Sequence, residues 1–283
     1  MDIKKVGVIG GGTMGAGIIQ VAAQSGFEVV FKEADEERIE KAIATVSKFI
    51  NKKLEKGKID QAERDAIIGR IRGTVNYDDL ADRDLVVEAV FEDLAVKQEV
   101  FRELDRVTRA DTILCTNTSG LSITEIGAVT GKTDKVIGMH FFSPVPAMAL
   151  VEVTKGEKTS EETCETVLDF ARAIGKDPVA LSEAPGFVVN RMLDPITNEA
   201  AAILAEGIAS KEDIDKAMRL GANHPMGPLE LADLEGIDIV VASLDTMYRE
   251  TGLLKFKPHP LLVKMVRAGK LGRKTGEGFY KYD

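Results

Sequence analysis

The segment Val6-Gly7-Val8-Ile9-Gly10-Gly11-Gly12-Thr13-Met14-Gly15 constrains this chain more than any other, because it sets Gly10-x-Gly12-x-x-Gly15 between two different periodicities. Before it, residues 3–10 read as a short apolar strand. After it, residues 13–25 read as a helix of small and apolar side chains ended by Gly26, and residues 27–31 as a second strand. A strand–helix–strand unit of about 30 residues has the size of a βαβ crossover. The glycine pattern alone also occurs in turns that bind nothing; its place inside such a unit selects the dinucleotide-binding reading. There Gly10 permits the tight turn, Gly12 lets the backbone approach a pyrophosphate, and Gly15 lets the helix pack closely on the strand. The helix start at Thr13 and Met14 offers unpaired N–H groups and a positive dipole end to the phosphates. The pattern further predicts an acidic residue at the end of the second strand for the ribose hydroxyls, and Glu33 stands there. A carboxylate at that point repels a 2′-phosphate, so NAD is expected over NADP, against the opposing charges of Lys32 and Arg38 nearby.

The remaining pattern extends this start. Residues 35–56 read as a long charged helix and 60–70 as a further helical stretch. Strands follow at 85–90, 112–116, 136–139 and 149–153, with helices at 93–108 and 160–174, the last bracketed by Ser160 and Gly175. Ser122-Ile123-Thr124-Glu125 has the form of a capping box opening a short helix. Strands alternating with helices predict an α/β fold with a mainly parallel, Rossmann-like doubly wound sheet. Beyond Pro185-Gly186 the strand pattern gives way to helical periodicity at 187–206, 211–220 and 228–251, with Pro195 expected to kink the first of these. The expected organisation is a nucleotide-binding domain over residues 1–184 and an all-helical C-terminal domain over 185–283.

Composition narrows the ligand and the compartment. A net charge of −9 argues against non-specific nucleic-acid binding, and no apolar run is long enough for a membrane helix. Met1-Asp2-Ile3-Lys4-Lys5 leads straight into the first strand, which leaves no room for a cleavable leader. The two cysteines, Cys115 and Cys164, are far apart in apolar settings and read as buried, reduced and structural. With three histidines in all, a zinc site is not expected and no metal is assigned. A cytoplasmic protein is the expectation.

One histidine and one carboxylate carry chemistry. His140 directly follows the strand at 136–139, on the proline-rich loop Phe141-Phe142-Ser143-Pro144-Val145-Pro146, where doubly wound folds keep their ligands. Glu152 lies within the apolar run Leu150-Val151-Glu152-Val153, where an unpaired carboxylate is costly to bury, so it needs a partner. If the two segments lie side by side, Glu152 reaches His140, fixes the ring and stabilises its protonated form. His224 and His259 sit beside prolines in loops and read as locally structural.

These stretches, with the rest of the chain, resemble a known family. Gly10-Gly11-Gly12-Thr13-Met14-Gly15-Ala16-Gly17, Asn117-Thr118-Ser119, Gly138-Met139-His140-Phe141-Phe142-Ser143-Pro144-Val145-Pro146 and Leu150-Val151-Glu152-Val153 resemble the 3-hydroxyacyl-CoA dehydrogenases, in their short single-function bacterial form. So do Pro185-Gly186-Phe187-Val188-Val189-Asn190-Arg191, Gly227-Pro228-Leu229-Glu230-Leu231-Ala232-Asp233 and Lys274-Thr275-Gly276-Glu277-Gly278-Phe279-Tyr280, so that the resemblance covers essentially the whole chain. It implies reversible, NAD-dependent interconversion of acetoacetyl-CoA and (S)-3-hydroxybutyryl-CoA. It also implies that His140 is the general acid–base, Glu152 its orienting partner, and Ser119 and Asn190 the residues holding the reacting oxygen. Glu92, Lys97, Ser119 and Lys274 match positions that contact NAD, as does Asn117 in its motif. Where the family usually reads His-Phe-Phe-Asn-Pro, this chain has the shorter Ser143, and Glu33 replaces the more usual Asp.

Two surfaces complete the reading. Lys41, Lys48, Lys52 and Lys56 recur at intervals of seven and four, which places them on one helix face. Such a face is ordinarily solvated and paired at i,i+4; the resemblance assigns Lys52 and Lys56 to the phosphates of coenzyme A. Ile203, Leu204, Ile237, Ile239, Val240 and Val241 give the C-terminal domain many apolar side chains, and the resemblance implies a homodimer or an assembly of dimers. A dehydrogenase of a free hydroxyacid such as L-gulonate, and a catalytically silent NAD-binding protein, remain as alternatives. Acyl-chain length and physiological direction are not encoded in these patterns.

Overall fold

The computed structural model describes residues 3–282. Met1 and Asp2, on which the expectation of no leader partly rests, and residue 283 at the end of the C-terminal domain lie outside the described residues. The chain divides into two compact units, Met1–Glu183 and Ala184–Asp283.

The first unit runs β1 (Lys5–Ile9), α1 (Thr13–Gln24), β2 (Glu28–Lys32), α2 (Glu36–Glu55), α3 (Gln61–Gly69), β3 (Ile71–Thr74), β4 (Leu85–Glu88), α4 (Leu94–Val107), β5 (Ile113–Thr116), α5 (Ile123–Gly127), β6 (Val136–Phe141), β7 (Leu150–Lys155), α6 (Glu161–Ala173) and β8 (Asp177–Ser182). Its strands form one eight-stranded sheet in the order β3-β2-β1-β4-β5-β6-β7-β8. All neighbours are parallel except β6 and β7. The chain first winds outward from β1 to β2 and β3, then returns to β4 on the other side of β1. The order therefore reverses between β1 and β4, and the crevice beyond their carboxyl ends is where such sheets bind ligands. Val6, Val8, Leu85 and Val87 are fully buried there, as the near-continuous apolar runs of a two-sided parallel sheet require.

Three features depart from the sequence reading. β3 and β8 are additional strands, and both lie at sheet edges. β3 is only four residues, Ile-Arg-Gly-Thr, with one buried position, and a Cβ on Gly73 would approach Ile39 Cγ2 to 2.2 Å. β8 is largely exposed and carries Pro178, which an edge strand tolerates. Finally, β6 continues through Phe141, so His140 lies inside the strand and not on the loop after it.

The second unit contains α7 (Val189–Ala205), α8 (Lys211–Gly221), α9 (Pro228–Glu235), α10 (Ile237–Thr251) and α11 (Pro260–Arg267) around a core that includes Ala201, Leu229, Ile237, Leu244, Phe256 and Leu262. α7 continues through Pro195. The helix expected over 228–251 is two helices, broken at Gly236 with φ of 111°, where the Ile237 N–H leaves the helical ladder and donates to Leu271 O. α11 was not anticipated; the His259 imidazole caps it by accepting the Leu261 N–H at 3.2 Å. The unit is not wholly helical, because Glu277 bridges Gly272 and Lys281 in short antiparallel contacts. Buried Asp233 anchors this tail by accepting from the Phe279 and Tyr280 N–H groups and the Tyr282 hydroxyl. Among the described residues no helix is long and apolar enough to cross a membrane, and no cluster of metal-ligating side chains occurs.

Candidate active site

The glycine turn is shaped for a group that the protein itself does not supply. Gly10 has φ of 91°, a conformation open to glycine, and its N–H donates to Lys32 O at 3.0 Å. A Cβ on Gly15 would lie 1.8 Å from Gly10 O, so α1 can approach β1 only with glycine there. A Cβ on Gly12 would meet nothing within 4 Å, so that glycine faces open space. α1 also starts at Gly12 with no side-chain cap and no acidic residue in its first turn, whereas Asp35, Asp93 and Ser160 cap α2, α4 and α6. An exposed glycine in front of an uncapped helix start, flanked by Thr13 and Met14, fits a pyrophosphate. Glu33 closes the turn from the side: one carboxylate oxygen accepts the Gly11 N–H at 2.6 Å and the other the Ala34 N–H at 3.0 Å. The cations that opposed the NAD reading are engaged elsewhere. Lys32 lies 4.5 Å over the Tyr77 ring and Arg38 pairs with Asp35 at 3.4 Å.

The carboxyl ends of β4 and β5 carry a second cluster. Glu92 accepts the Ser119 N–H at 3.0 Å and the Ser119 hydroxyl at 3.4 Å, together with the Thr118 hydroxyl. Lys97 is 1 % exposed and its ammonium pairs with Glu88 at 2.7 Å and Glu92 at 3.3 Å. Asn117 faces the other way, accepting the Phe141 N–H at 2.9 Å through its side-chain oxygen, which ties the end of β6 to β5.

His140 and Glu152 are directly opposite in the antiparallel β6–β7 pair. The His140 Nδ1 lies 2.8 Å from a Glu152 oxygen, and the side chains are 8 % and 1 % exposed. A carboxylate only accepts, so Nδ1 carries the hydrogen. Phe142 packs against the imidazole with ring centroids 4.5 Å apart. The following loop, with exposed Ser143, is held by Lys176, whose ammonium donates to the carbonyls of Val145 and Met148. Val145 in turn sits on α1, since a Cβ on Gly17 would come within 2.7 Å of Val145 Cβ.

The basic face lies on α2. Lys41, Lys48, Lys52 and Lys56 are all exposed, and among the described residues none has a carboxylate partner within 4.0 Å. In the second unit Asn190 lies in the first turn of α7 and is half-buried, and Lys274 pairs with Asp238. Both cysteines are free and buried, and burial pushes the Cys115 thiol up, away from reactivity. Glu88, Thr116 and Thr118 were missed as site residues. The signal was present for Glu88, an acid inside the apolar run Leu85–Val90, and it is the same signal that singled out Glu152.

Comparison with known proteins places this geometry. Residues 5–184 match the family described as 3-hydroxyacyl-CoA dehydrogenase, NAD binding domain, and residues 186–282 match its C-terminal domain. A 3-hydroxybutyryl-CoA dehydrogenase of Clostridioides difficile is 53% identical over 279 residues, spanning 99% of both chains. The human mitochondrial hydroxyacyl-coenzyme A dehydrogenase is 44% identical over 99% of this chain and 91% of its own. The crystal structure of (S)-3-hydroxybutyryl-CoA dehydrogenase from Ralstonia eutropha superposes with a TM-score of 0.97 at 43% identity, covering 100% of both chains. Fold, glycine turn and these likenesses define an NAD-dependent dehydrogenase. The chain belongs to the 3-hydroxyacyl-CoA dehydrogenase family.

Proposed function

We propose that this dehydrogenase interconverts acetoacetyl-CoA and (S)-3-hydroxybutyryl-CoA, reversibly and with NAD. The observation that carries the reading is the buried His140–Glu152 pair, near the carboxyl end of β6 in the sheet whose β1 carries the glycine turn. NAD, when bound at the turn, supplies or accepts the hydride. In the reducing direction His140, protonated, gives the Nε2 proton to the oxygen developing at C3 of the thioester, and in oxidation it takes that proton back. Glu152 holds the ring so that Nδ1 always faces the carboxylate, and it stabilises the charged imidazole. The Ser119 and Asn190 side chains hydrogen-bond the same oxygen and favour its partial charge. Glu33 receives the ribose hydroxyls, while Glu92, Lys97, Asn117, Ser143 and Lys274 complete the cofactor's surroundings, Lys97 acting through Glu92. Lys52 and Lys56, free of carboxylate partners, receive the phosphates of coenzyme A as point charges. The working form is a homodimer or an assembly of dimers, supported by the exposed apolar side chains Ile208, Leu234, Ile239 and Leu254 of the helical unit.

The test is NADH consumption by the purified protein with acetoacetyl-CoA, alongside NADPH and free acetoacetate. Turnover of the thioester with NADH alone is expected. Turnover of a free hydroxyacid and not the thioester, or NADH binding without turnover of any 3-keto substrate, overturns the proposal in favour of the two alternatives.

A further inference from the structure

We propose that Glu88, to which no step above assigns a part, is a positioning residue that sets Ser119 through Lys97 and Glu92. The inference rests on the reading of Ser119 just given. Glu88 is the last residue of β4, wholly buried between Ile9 of β1 and Thr116 of β5. One of its oxygens accepts from Lys97 Nζ at 2.7 Å and from the Val90 N–H at 2.7 Å, and the other accepts the Thr116 hydroxyl at 2.7 Å. Two of these bonds come from the end of β5 and the first turn of α4 and the third from Val90 just beyond β4, so its place is fixed at the end of the sheet. Glu92 stands differently: it is 43 % exposed, on the irregular segment between β4 and α4, held from the interior by the Lys97 ammonium and by the buried Thr118 hydroxyl. The contacts thus run in series from Glu88 to Lys97, from Lys97 to Glu92, and from Glu92 to the amide and hydroxyl of Ser119.

Stability does not account for such a pair. Replacing a buried ion pair by apolar side chains of similar volume is often neutral or stabilising, so an ionic core here gains position rather than energy. One ammonium is shared by two carboxylates. Without the Glu88 charge, the Lys97 ammonium turns wholly to Glu92 and draws that carboxylate inward, away from Ser119. Misplacing a catalytic group by an ångström costs on the order of a hundredfold in rate.

The experiment is a cycle of Glu88→Gln and Ser119→Ala, read as kcat at saturating NADH and acetoacetyl-CoA. Ser119→Ala by itself tests the underlying reading; a wild-type kcat there removes Ser119 from the chemistry, whatever Glu88 does. Given a loss in Ser119→Ala, Glu88→Gln is expected to lower kcat about 10- to 100-fold with the thioester KM nearly unchanged. In the Ser119→Ala background it should cost less than about twofold more, because residues acting as one unit are not additive. Equal losses in both backgrounds, or no loss in either, overturn the proposal. Should Glu88→Gln fail to fold, the double variant Glu88→Leu/Lys97→Met replaces the pair by apolar volume. It should fold and also lower kcat, because Glu92 there has lost the ammonium that holds it, and a wild-type kcat in that variant overturns the proposal equally.

Discussion

At the scale of single residues the two glycines of the turn separate folding from binding. A Cβ on Gly15 collides with the backbone carbonyl of Gly10, which cannot swing aside, while a Cβ on Gly12 meets no protein atom. Gly15→Ala should therefore destabilise the protein by about 1–3 kcal/mol or more, the usual cost of overpacking, seen as a fall in Tm of several degrees. Gly12→Ala should leave Tm unchanged and weaken NADH at least about tenfold by titration, because the methyl group fills the space a pyrophosphate needs. Equal effects of the two on Tm would remove the distinction. His140→Ala should lower kcat by about 10²–10⁴ with NADH affinity little changed, the range of a general acid–base; kcat near wild type would refute its role. These residues were legible because their chemistry is local: the glycine spacing names the turn, and an acid in an apolar strand demands a partner. Glu88 meets the second criterion as well, but its side-chain partners Lys97 and Thr116 come from α4 and β5, farther along the sequence.

At the scale of elements, legibility followed burial. Central strands with continuous apolar runs were readable, whereas β3 and β8, exposed edges carrying Gly73 and Pro178, resemble loops until their neighbours are in place. The break at Gly236 was hidden because a single glycine inside a helical pattern does not reveal that its N–H partner comes from the tail at Leu271. The lysine row on α2 is readable as a row, and the structure adds that among the described residues it has no carboxylate partner within 4.0 Å. Lys52→Glu with Lys56→Glu should raise KM for acetoacetyl-CoA about tenfold or more and leave NADH affinity alone, since each reversal replaces attraction to phosphate by repulsion. An unchanged KM would return these lysines to the solvated surface. α7 carries a different consequence. Asp194 is 4 % exposed, and burial pushes its carboxyl up to about 7, with a bond from Ser243 and the charge of Glu235 acting in opposite directions. The native state therefore binds a proton that the unfolded chain releases near pH 4, so ionising Asp194 costs stability in full above about pH 7, and the cost vanishes as pH falls towards 4. Asp194→Asn should raise Tm at pH 8, by the equivalent of a few kcal/mol, with the gain shrinking between pH 7 and 5. A gain independent of pH would show that another group titrates.

At the scale of the whole molecule, strand alternation gives way to helical periodicity near Pro185, and the chain carries a sheet-bearing unit and a helical one. What the pattern could not sort was which apolar side chains of the helical unit close its own core. Ile237 and Val240 are buried within the unit, whereas Ile239 between them is 54 % exposed. The three are nearly consecutive on α10, and a helix turns about 100° per residue, so the same run supplies both an inner and an outer face. Leu234, at the end of α9, and Leu254 are also exposed. If a second copy of the chain covers this surface, a carboxylate placed in it must be buried without a partner. Such a charge costs roughly 3–5 kcal/mol, enough to weaken association at least about a hundredfold. The wild-type protein should then sediment as a dimer or a larger even assembly at micromolar concentration. Its Tm should rise with concentration, because association stabilises the folded form by mass action. Ile239→Glu and Leu234→Glu should each shift the sedimentation towards a single chain and remove the concentration dependence. A wild-type protein that sediments as a monomer would leave these side chains as isolated surface residues of a chain that acts alone.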